Sequence, residues 1–321
     1  MPMEPANPQA SPEARKLLEY LYSISGKKTL SGQHNYPGFH SDYSTHAYRI
    51  AGRHPAIWGQ DFGFTADGKD GINHREVNIQ EAMRQHREGS IITLMWHGVR
   101  PMDNEPNGWK ESVQNRLTDA EWTELLTPGT ALHRRWLAQL DVVAGYLKGL
   151  RDEHVPVLWR PYHEGNGSWF WWGGRPGPRG TQAVYRLMFE VFTQKYGLDN
   201  LIWVWNANMT GEGGKGPGPY RDYYPGHGCV DILATDVYGG NYRQDDYEEL
   251  LKTAEGKPVA LGEVGKVPDP AVLTRQSRWI WFMIWPDFLE RDNTPEDIRA
   301  LYGDPRVLSL EWLSGKGSGL G

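Results

Sequence analysis

Eight short hydrophobic runs recur along the chain, separated by stretches with the spacing of amphipathic helices. Each run is almost continuously apolar and rich in β-branched residues, as is typical of parallel strands that are covered on both faces. The runs predict strands at residues 28–34, 55–63, 90–98, 155–164, 200–208, 230–239, 257–265 and 279–287.

Helical periodicity fills most of the intervals between these runs. Ser11 is placed to cap the first helix, with Pro12 in its first turn, and Gly89 is placed at the end of another. Apolar residues at i, i+3, i+4 and i+7 mark the longest helices. The predicted helices cover residues 11–24, 73–89, 129–154, 181–197, 245–256 and 294–313.

Alternation of eight strands with helices predicts an α/β fold, a single-domain (β/α)8 TIM barrel. A doubly wound open sheet is the alternative, but the strand count and the lack of a glycine-rich phosphate loop favour the barrel. We expect a disordered N-terminal segment at residues 1–12, the catalytic barrel at 13–313 and a flexible tail at 314–321.

Polar and aromatic side chains gather at the C-terminal end of each predicted strand. In (β/α)8 barrels that end carries the active site, so these residues are the first candidates for function. They are Gln33, His34, Asp61, Trp96, His97, His163, Glu164, Trp205, Asn206, Asn208, Asp236, Tyr238, Glu263, Trp285 and Asp287.

Composition narrows the classes of partner. The net charge of −6 argues against nucleic acid, which requires a basic face, and no apolar run is long enough to span a membrane. Cys229 is the only cysteine, so neither an internal disulfide nor a thiolate metal cluster can form. We expect a monomer without metal or cofactor. The 15 tryptophans and 16 tyrosines fit either an aromatic core or a carbohydrate site.

The beginning of the sequence bears on localisation. Residues 1–16 lack the basic and then apolar pattern of a signal peptide. We expect a secreted protein whose signal is absent from this sequence, with a cytoplasmic location as the alternative.

Two glutamates, Glu164 and Glu263, end the fourth and seventh predicted strands. Opposed strand ends of a barrel can direct two carboxylates at one point, as glycoside hydrolysis requires. Structural glutamates neutralised by a nearby cation such as Arg160 are the alternative. The aromatic run from Trp169 to Trp172 next to Glu164 favours the catalytic interpretation, because aromatic burial raises a carboxyl pKa.

The segment "WRPYHEGNGSWFWWG" at 159–173 resembles the signature of glycoside hydrolase family 26. The segments "LGEVG" around Glu263, "DVYGG" at 236–240 and "WHG" at 96–98 resemble further strand ends of that family, in order over residues 28 to 287. The resemblance implies a (β/α)8 barrel and, for most members, an endo-acting β-1,4-mannanase that retains configuration. It also implies that the partner is a β-linked polysaccharide or oligosaccharide.

The resemblance also implies roles for individual residues. Glu164 is expected to be the acid/base and Glu263 the nucleophile, with Tyr238 in contact with the nucleophile. His163 occupies the place of an asparagine in the wider clan and is expected to hydrogen-bond near the two carboxylates. Arg160 is expected to help keep Glu263 ionised.

The expected substrate-binding residues depend on strand-end position and residue type. Trp169 and Trp285 are sugar platforms, although Trp169 can also be a packed loop residue. His97 and Trp96 line the glycone subsite, and Asp61 holds a hydroxyl or pairs with an arginine. Asn166 is expected to fix the loop that presents Glu164. The full predicted set is His97, Trp96, Trp169, Asn166, Asp61, Trp285 and Trp205.

Three functions remain open from the sequence. The first is an endo-β-1,4-mannanase that acts on mannan, glucomannan or galactomannan. The second is a mixed-linkage β-1,3-1,4-glucanase or a β-1,3-xylanase of the same family. The third is a barrel that binds glycans without cleaving them, which the presence of both carboxylates disfavours.

Overall fold

Eight parallel strands close into a barrel in the computed structural model, which describes residues 4–211 and 216–313. β1 pairs with both β2 and β8, so the sheet has no free edge between them. A ninth, two-residue strand adds to β1 outside the barrel. The strands are β1 Thr29–His34, β2 Ile57–Asp61, β3 Ile91–Trp96, β4 Val157–Pro161, β5 Leu201–Asn208, β6 Ile232–Val237, β7 Val259–Val264, β8 Trp279–Ile284 and β9 Val307–Leu308.

Helices surround the barrel and connect its strands. Ser11 caps α1 by accepting a hydrogen bond from the Ala14 N–H, with Pro12 in the first turn as predicted. The helices are α1 Pro12–Ile24, α2 Asp42–Ala51, α3 Arg75–Arg87, α4 Asp119–Leu126, α5 Ala131–Asp152, α6 Thr181–Glu190, α7 Gln244–Ala254, α8 Pro270–Arg275, α9 Phe288–Arg291, α10 Pro295–Gly303 and α11 Leu310–Leu313.

The predicted (β/α)8 barrel and all eight strands are confirmed, with ends that differ by one to three residues in most cases. The predicted helix at 294–313 is instead α10, β9 and α11 in succession. The helices α2, α4, α8 and α9 were not predicted, because they are short segments within what the sequence presents as loops. Within the described residues, no helix has the length and apolarity needed to cross a bilayer.

The barrel interior is filled by apolar side chains below the level of the polar strand ends. Leu30, Leu158, Ile202 and Met283 belong to this cluster, and so does the buried face of α1, which closes the N-terminal end of the barrel. Glycine is needed at position 32, since a Cβ there would come 2.7 Å from the Phe282 carbonyl oxygen, a backbone atom of the neighbouring strand β8.

The N-terminal segment corrects one expectation. Residues 4–11 lie against the barrel rather than being disordered: the Ala6 N–H donates to Asp231 Oδ1 at 2.6 Å and the Ser11 N–H donates to the Asp199 carbonyl at 2.8 Å. The remainder of the predicted segment, residues 1–3, and the predicted tail at 314–321 lie outside the described residues.

Candidate active site

Glu164 and Glu263 meet at the C-terminal end of the barrel. They are 8% and 3% exposed, and together with Asp236 each offers a carboxylate oxygen within 4.8 Å of the others. Retaining glycosidases hold their two carboxyl groups about 5–5.5 Å apart, whereas inverting enzymes need about 6.5–9.5 Å to admit a water. The spacing therefore fits direct attack by one carboxylate on a sugar that the other protonates.

The turn after β4 presents Glu164 in a strained conformation. Tyr162 and Glu164 both have positive φ, 49° and 52°, a region that residues with a side chain rarely adopt. Two contacts hold the turn: the Glu164 N–H donates to the Asn206 carbonyl at 2.8 Å, and Trp136 Nε1 donates to the Tyr162 hydroxyl at 2.8 Å. Surrounding structure thus fixes the carboxyl group above the barrel mouth.

The Glu164 carboxyl group is set up as a proton donor. Burial and the negative charge of Glu263 raise its pKa to about 7. Hydrogen bonds from Asn208 Nδ2 to Oε1 and from Trp169 Nε1 to Oε2 oppose this rise, because they stabilise the charged form. Near neutral pH a substantial fraction of Glu164 is therefore protonated.

Glu263 is held by donors that stabilise a carboxylate. The Tyr238 hydroxyl donates to Oε2 at 2.6 Å, and Arg160 Nη2 donates to Oε1 at 3.2 Å. His163 Nε2 lies 3.9 Å from the same Oε1, and burial lowers the pKa of His163 well below its ordinary value, so this ring is neutral. The cation next to Glu263 is accordingly Arg160, as the sequence led us to expect.

A change of register between β6 and β7 gives Glu263 its position. Thr235 pairs with Leu261, but the next residue, Asp236, pairs with Glu263, so Gly262 is skipped. A Cβ at Gly262 would overlap the amide oxygen of Asn206. The "GE" pair in the sequence thus encodes a bulge that only glycine permits, and the bulge aims Glu263 into the site.

Beneath the two glutamates, Arg160, Asn206 and Asp236 form a buried hydrogen-bonded layer whose connections the sequence did not predict. Arg160 Nη1 donates to Asn206 Oδ1, and Asn206 Nδ2 donates to Asp236 Oδ1, both at 2.7 Å. Burial and the charges of Glu263 and Glu164 raise the pKa of Asp236 well above its ordinary value. The raised pKa favours the neutral form of Asp236, which limits the negative charge around the glutamate pair.

The side of the site towards β1–β3 combines an ion pair with an aromatic platform. Asp61 accepts hydrogen bonds from the ring and the backbone N–H of His97 and does not pair with an arginine. His97 meets His163 edge-to-face at 4.5 Å between ring centroids. Trp285 stacks on His34 at 4.7 Å and donates to the Tyr36 hydroxyl, which holds its indole at the mouth of the barrel.

The tryptophans of the 169–172 run have different environments. Trp171 and Trp172 are 1% and 0% exposed and donate to the carbonyls of Gly98 and His163. They pack beneath residues 162–169, the segment after β4 that presents Glu164 and is called the acid loop below, and their burial prevents them from stacking on a sugar. Trp169 is only partly buried and has its indole N–H on Glu164, so it is the member of the run placed at the catalytic centre. Gly167 makes room for its ring.

Trp96 and Trp205 do not belong to the site, which corrects the sequence prediction. Both lie in the apolar layer between the barrel and its helices. Trp96 lines a cavity beside α5, and Trp205 packs edge-on against Tyr224 at 5.3 Å. Alternate strand residues face opposite sides of a sheet, so His97 and Asn206 point inward while their neighbours point outward.

The Asn166 side chain is hydrogen-bonded to the end of β5. Its Nδ2 donates to the Asn208 carbonyl at 2.7 Å and its Oδ1 accepts from the Asn208 N–H at 2.8 Å. The acid loop is therefore tied to the end of β5, as expected for a residue that fixes the loop. Asn208, Asn206 and Asp236 had been recognised only as polar strand ends, because their roles depend on which carboxylate each one faces.

Glu164, Asp236 and Glu263 together form the acidic cluster that could hold a cation. Among residues 4–211 and 216–313, Glu164, Asp236 and Glu263 are the acids whose oxygens approach closely enough to share one. The Arg160 guanidinium and the N–H groups of Asn208 and Trp169 already occupy oxygens of the two glutamates. That donor set suits hydrogen-bonded carboxylates, and the absence of a metal stays a prediction.

Comparison with known proteins agrees with this geometry. The model of glycosyl hydrolase family 26 matches residues 6–311. The chain belongs to that family. Over 96% of its own length, the chain is 33% identical to a mannan endo-1,4-beta-mannosidase of Thermothelomyces thermophilus. The match spans 63% of that relative. It spans about half of two relatives from Piromyces, covering 50% and 53% of them.

Solved structures of the family superpose over nearly the whole chain. The structure of GH26A from Muricauda sp. is 44% identical with a TM-score of 0.91, covering 95% of this chain and 98% of that one. A GH26-CBM35 β-(1,4)-mannanase of Podospora anserina is 32% identical with a TM-score of 0.81, covering 99% and 70%. A β-mannanase from a termite protist, complexed with a gluco-manno-oligosaccharide, is 27% identical with a TM-score of 0.80, covering 97% of each chain.

Proposed function

We propose that this family 26 barrel is an endo-acting β-1,4-mannanase that hydrolyses its substrate with retention of configuration. The observation that carries the proposal is the pair Glu164 and Glu263, with oxygens within 4.8 Å and opposite surroundings. One carboxyl group has its pKa raised to about 7, and the other receives hydrogen bonds from Tyr238 and Arg160. Such a division of environments separates an acid from a nucleophile.

In the first step, a Glu263 oxygen attacks the anomeric carbon of the bound sugar. The bond from that carbon to the glycosidic oxygen breaks, and the Glu164 proton moves to the departing oxygen, which leaves as a hydroxyl group. Arg160 and Tyr238 hold the attacking carboxylate, and the product is a covalent glycosyl ester on Glu263.

In the second step, Glu164 acts as a base. Esterification removes the charge of Glu263, and with it one cause of the raised Glu164 pKa. Glu164 then takes a proton from a water molecule, whose oxygen attacks the anomeric carbon from the face that the leaving group occupied. The ester bond breaks, Glu263 returns as a carboxylate, and two inversions give net retention.

The choice of mannan as substrate rests on relatives rather than on a contact in this chain. Mannan endo-1,4-beta-mannosidases are among the similar proteins, and one similar structure holds a gluco-manno-oligosaccharide. Trp169 and Trp285 offer aromatic faces on two sides of the glutamate pair, which suits stacking against sugar rings. A polymeric substrate of this kind implies an exported protein, and we propose a monomer.

The test is release of reducing ends from galactomannan, glucomannan, barley mixed-linkage glucan and β-1,3-xylan by the purified protein. We expect release from the first two, with a rapid fall in viscosity that marks internal cleavage. Release mainly from barley glucan or from β-1,3-xylan would replace mannanase by the corresponding alternative of the family. Binding without release from any of the four would support the non-catalytic barrel.

A further inference from the structure

Asn208, the last residue of β5, contacts the acid/base directly. Its Nδ2 donates to Glu164 Oε1, while Trp169 Nε1 donates to Glu164 Oε2 at 2.7 Å. Each oxygen of the carboxyl group therefore has its own N–H donor, one from β5 and one from the acid loop. Nothing in the two-step mechanism above requires Asn208, so its position calls for a separate explanation.

The backbone of Asn208 is fixed by the same loop that its side chain touches. Asn166 both donates to the Asn208 carbonyl and accepts from the Asn208 N–H, at 2.7 and 2.8 Å. The Glu164 N–H donates to the Asn206 carbonyl at 2.8 Å. These three bonds form a clasp between the acid loop and β5, defined here by Glu164, Asn166, Asn206 and Asn208, and the clasp sets where the Asn208 amide points.

We propose that Asn208 is a positioning residue for Glu164: it fixes the rotamer of the acid/base and favours its carboxylate form, which the second step of the reaction uses. The inference rests on the proposed function. In this proposal the clasp keeps the Glu164 side chain in one position both when it is protonated and when it is ionised.

The electrostatic surroundings of Glu164 explain why such a donor is useful. Desolvation of the site and the charge of Glu263 on β7 favour the protonated form, and His97, which directly follows β3, favours the ionised form. Asp236 on β6 and Tyr238, which directly follows β6, also interact with the charge of Glu164. Because burial favours the protonated carboxyl group, fixed N–H donors are useful: they favour the carboxylate without adding a charge.

The experiment measures the pH dependence of kcat/KM in Asn208→Leu, which keeps the size of the side chain and removes its N–H groups. A hydrogen bond to a buried carboxylate accounts for about one pH unit of its titration. We expect the alkaline limb of the profile to move up by about one pH unit relative to the wild type. Asn115→Leu is the matched control, because Asn115 is exposed and its side-chain amide donates to the Glu111 carbonyl, away from the two glutamates.

A second measurement separates positioning from a general loss of structure. On manno-oligosaccharides Asn208→Leu is expected to lose about tenfold to a hundredfold in plateau kcat/KM, because the acid is misplaced. On an aryl β-mannoside with a good leaving group the loss is expected to be much smaller, since the first step there needs little proton transfer. Asn208→Ala replaces the leucine variant if circular dichroism shows that the latter is unfolded.

An unmoved alkaline limb in a folded variant, or an equal loss on both substrates, overturns the role of Asn208. Those outcomes leave the proposed function intact when the wild-type protein cleaves mannan in the same assays. A wild-type protein that cleaves none of the glycans overturns the proposed function and this inference together.

Discussion

Glu263→Ala is expected to lower kcat on galactomannan on the order of 10⁴-fold or more, because the covalent intermediate can no longer form. The Glu263 side chain is buried, and its partners Tyr238 and Arg160 come from other parts of the barrel, so the change leaves a space bounded by hydrogen-bond donors. Azide fits that space and attacks the anomeric carbon in place of the carboxylate. The measurement is the rate with and without azide on an aryl β-mannoside.

The identity of the azide product makes this result specific. Attack from the Glu263 side gives an α-mannosyl azide, since the sugar is inverted once. Glu248→Ala is a matched control, because Glu248 lies exposed on α7 and is expected to keep wild-type activity. Near wild-type activity of folded Glu263→Ala on galactomannan contradicts its role as nucleophile.

Glu164→Ala is expected to show a loss that depends on the leaving group. Removal of a general acid costs about 10²- to 10⁴-fold for an unactivated sugar leaving group and much less for an activated phenol. Azide then captures the glycosyl enzyme from the leaving-group side and gives a β-mannosyl azide. Rates on galactomannan and on a dinitrophenyl β-mannoside provide the comparison, and equal losses on both would remove Glu164 from the acid role.

The pH dependence of kcat/KM in the wild-type protein tests the assignment of Glu164 as the acid. Because only the protonated form of Glu164 can donate, and its pKa is raised to about 7, kcat/KM is expected to be half-maximal near pH 7, to approach a plateau at lower pH and to fall at higher pH. The alkaline limb is expected to vanish in Glu164→Ala. A limb that persists unchanged in that variant has another titrating group as its source.

The barrel and the position of the two glutamates could be predicted from the sequence because both depend on local signals. Continuous apolar runs specify parallel strands, and the long motif around Glu164 has few other interpretations. The N-terminal segment was expected to be disordered because residues 4–11 lack periodicity, and they are placed by contacts with Asp231 and Asp199, more than 180 residues away. Contacts of that range leave no mark on the local pattern.

The errors within the site have a single physical origin. Trp96 and Trp205 are each next to a residue that faces the site, and a shift of one position along a strand moves a side chain to the opposite face. In a strand covered on both faces the apolar pattern does not alternate. The pattern therefore does not indicate which of two consecutive residues faces the barrel interior. Asn208 was left without a role because its partner Glu164 lies in the turn after β4, a contact between separate segments that the local sequence pattern does not reveal.

The central claim is that Glu164 and Glu263 carry out two successive displacements on a β-1,4-linked mannan. Proton NMR of a manno-oligosaccharide during the first minutes of hydrolysis tests it most directly, because the anomeric form of the new reducing end is observed before mutarotation. We predict that the β-anomer appears first and the α-anomer follows slowly. First appearance of the α-anomer would contradict the double displacement and the use of Glu263 as nucleophile.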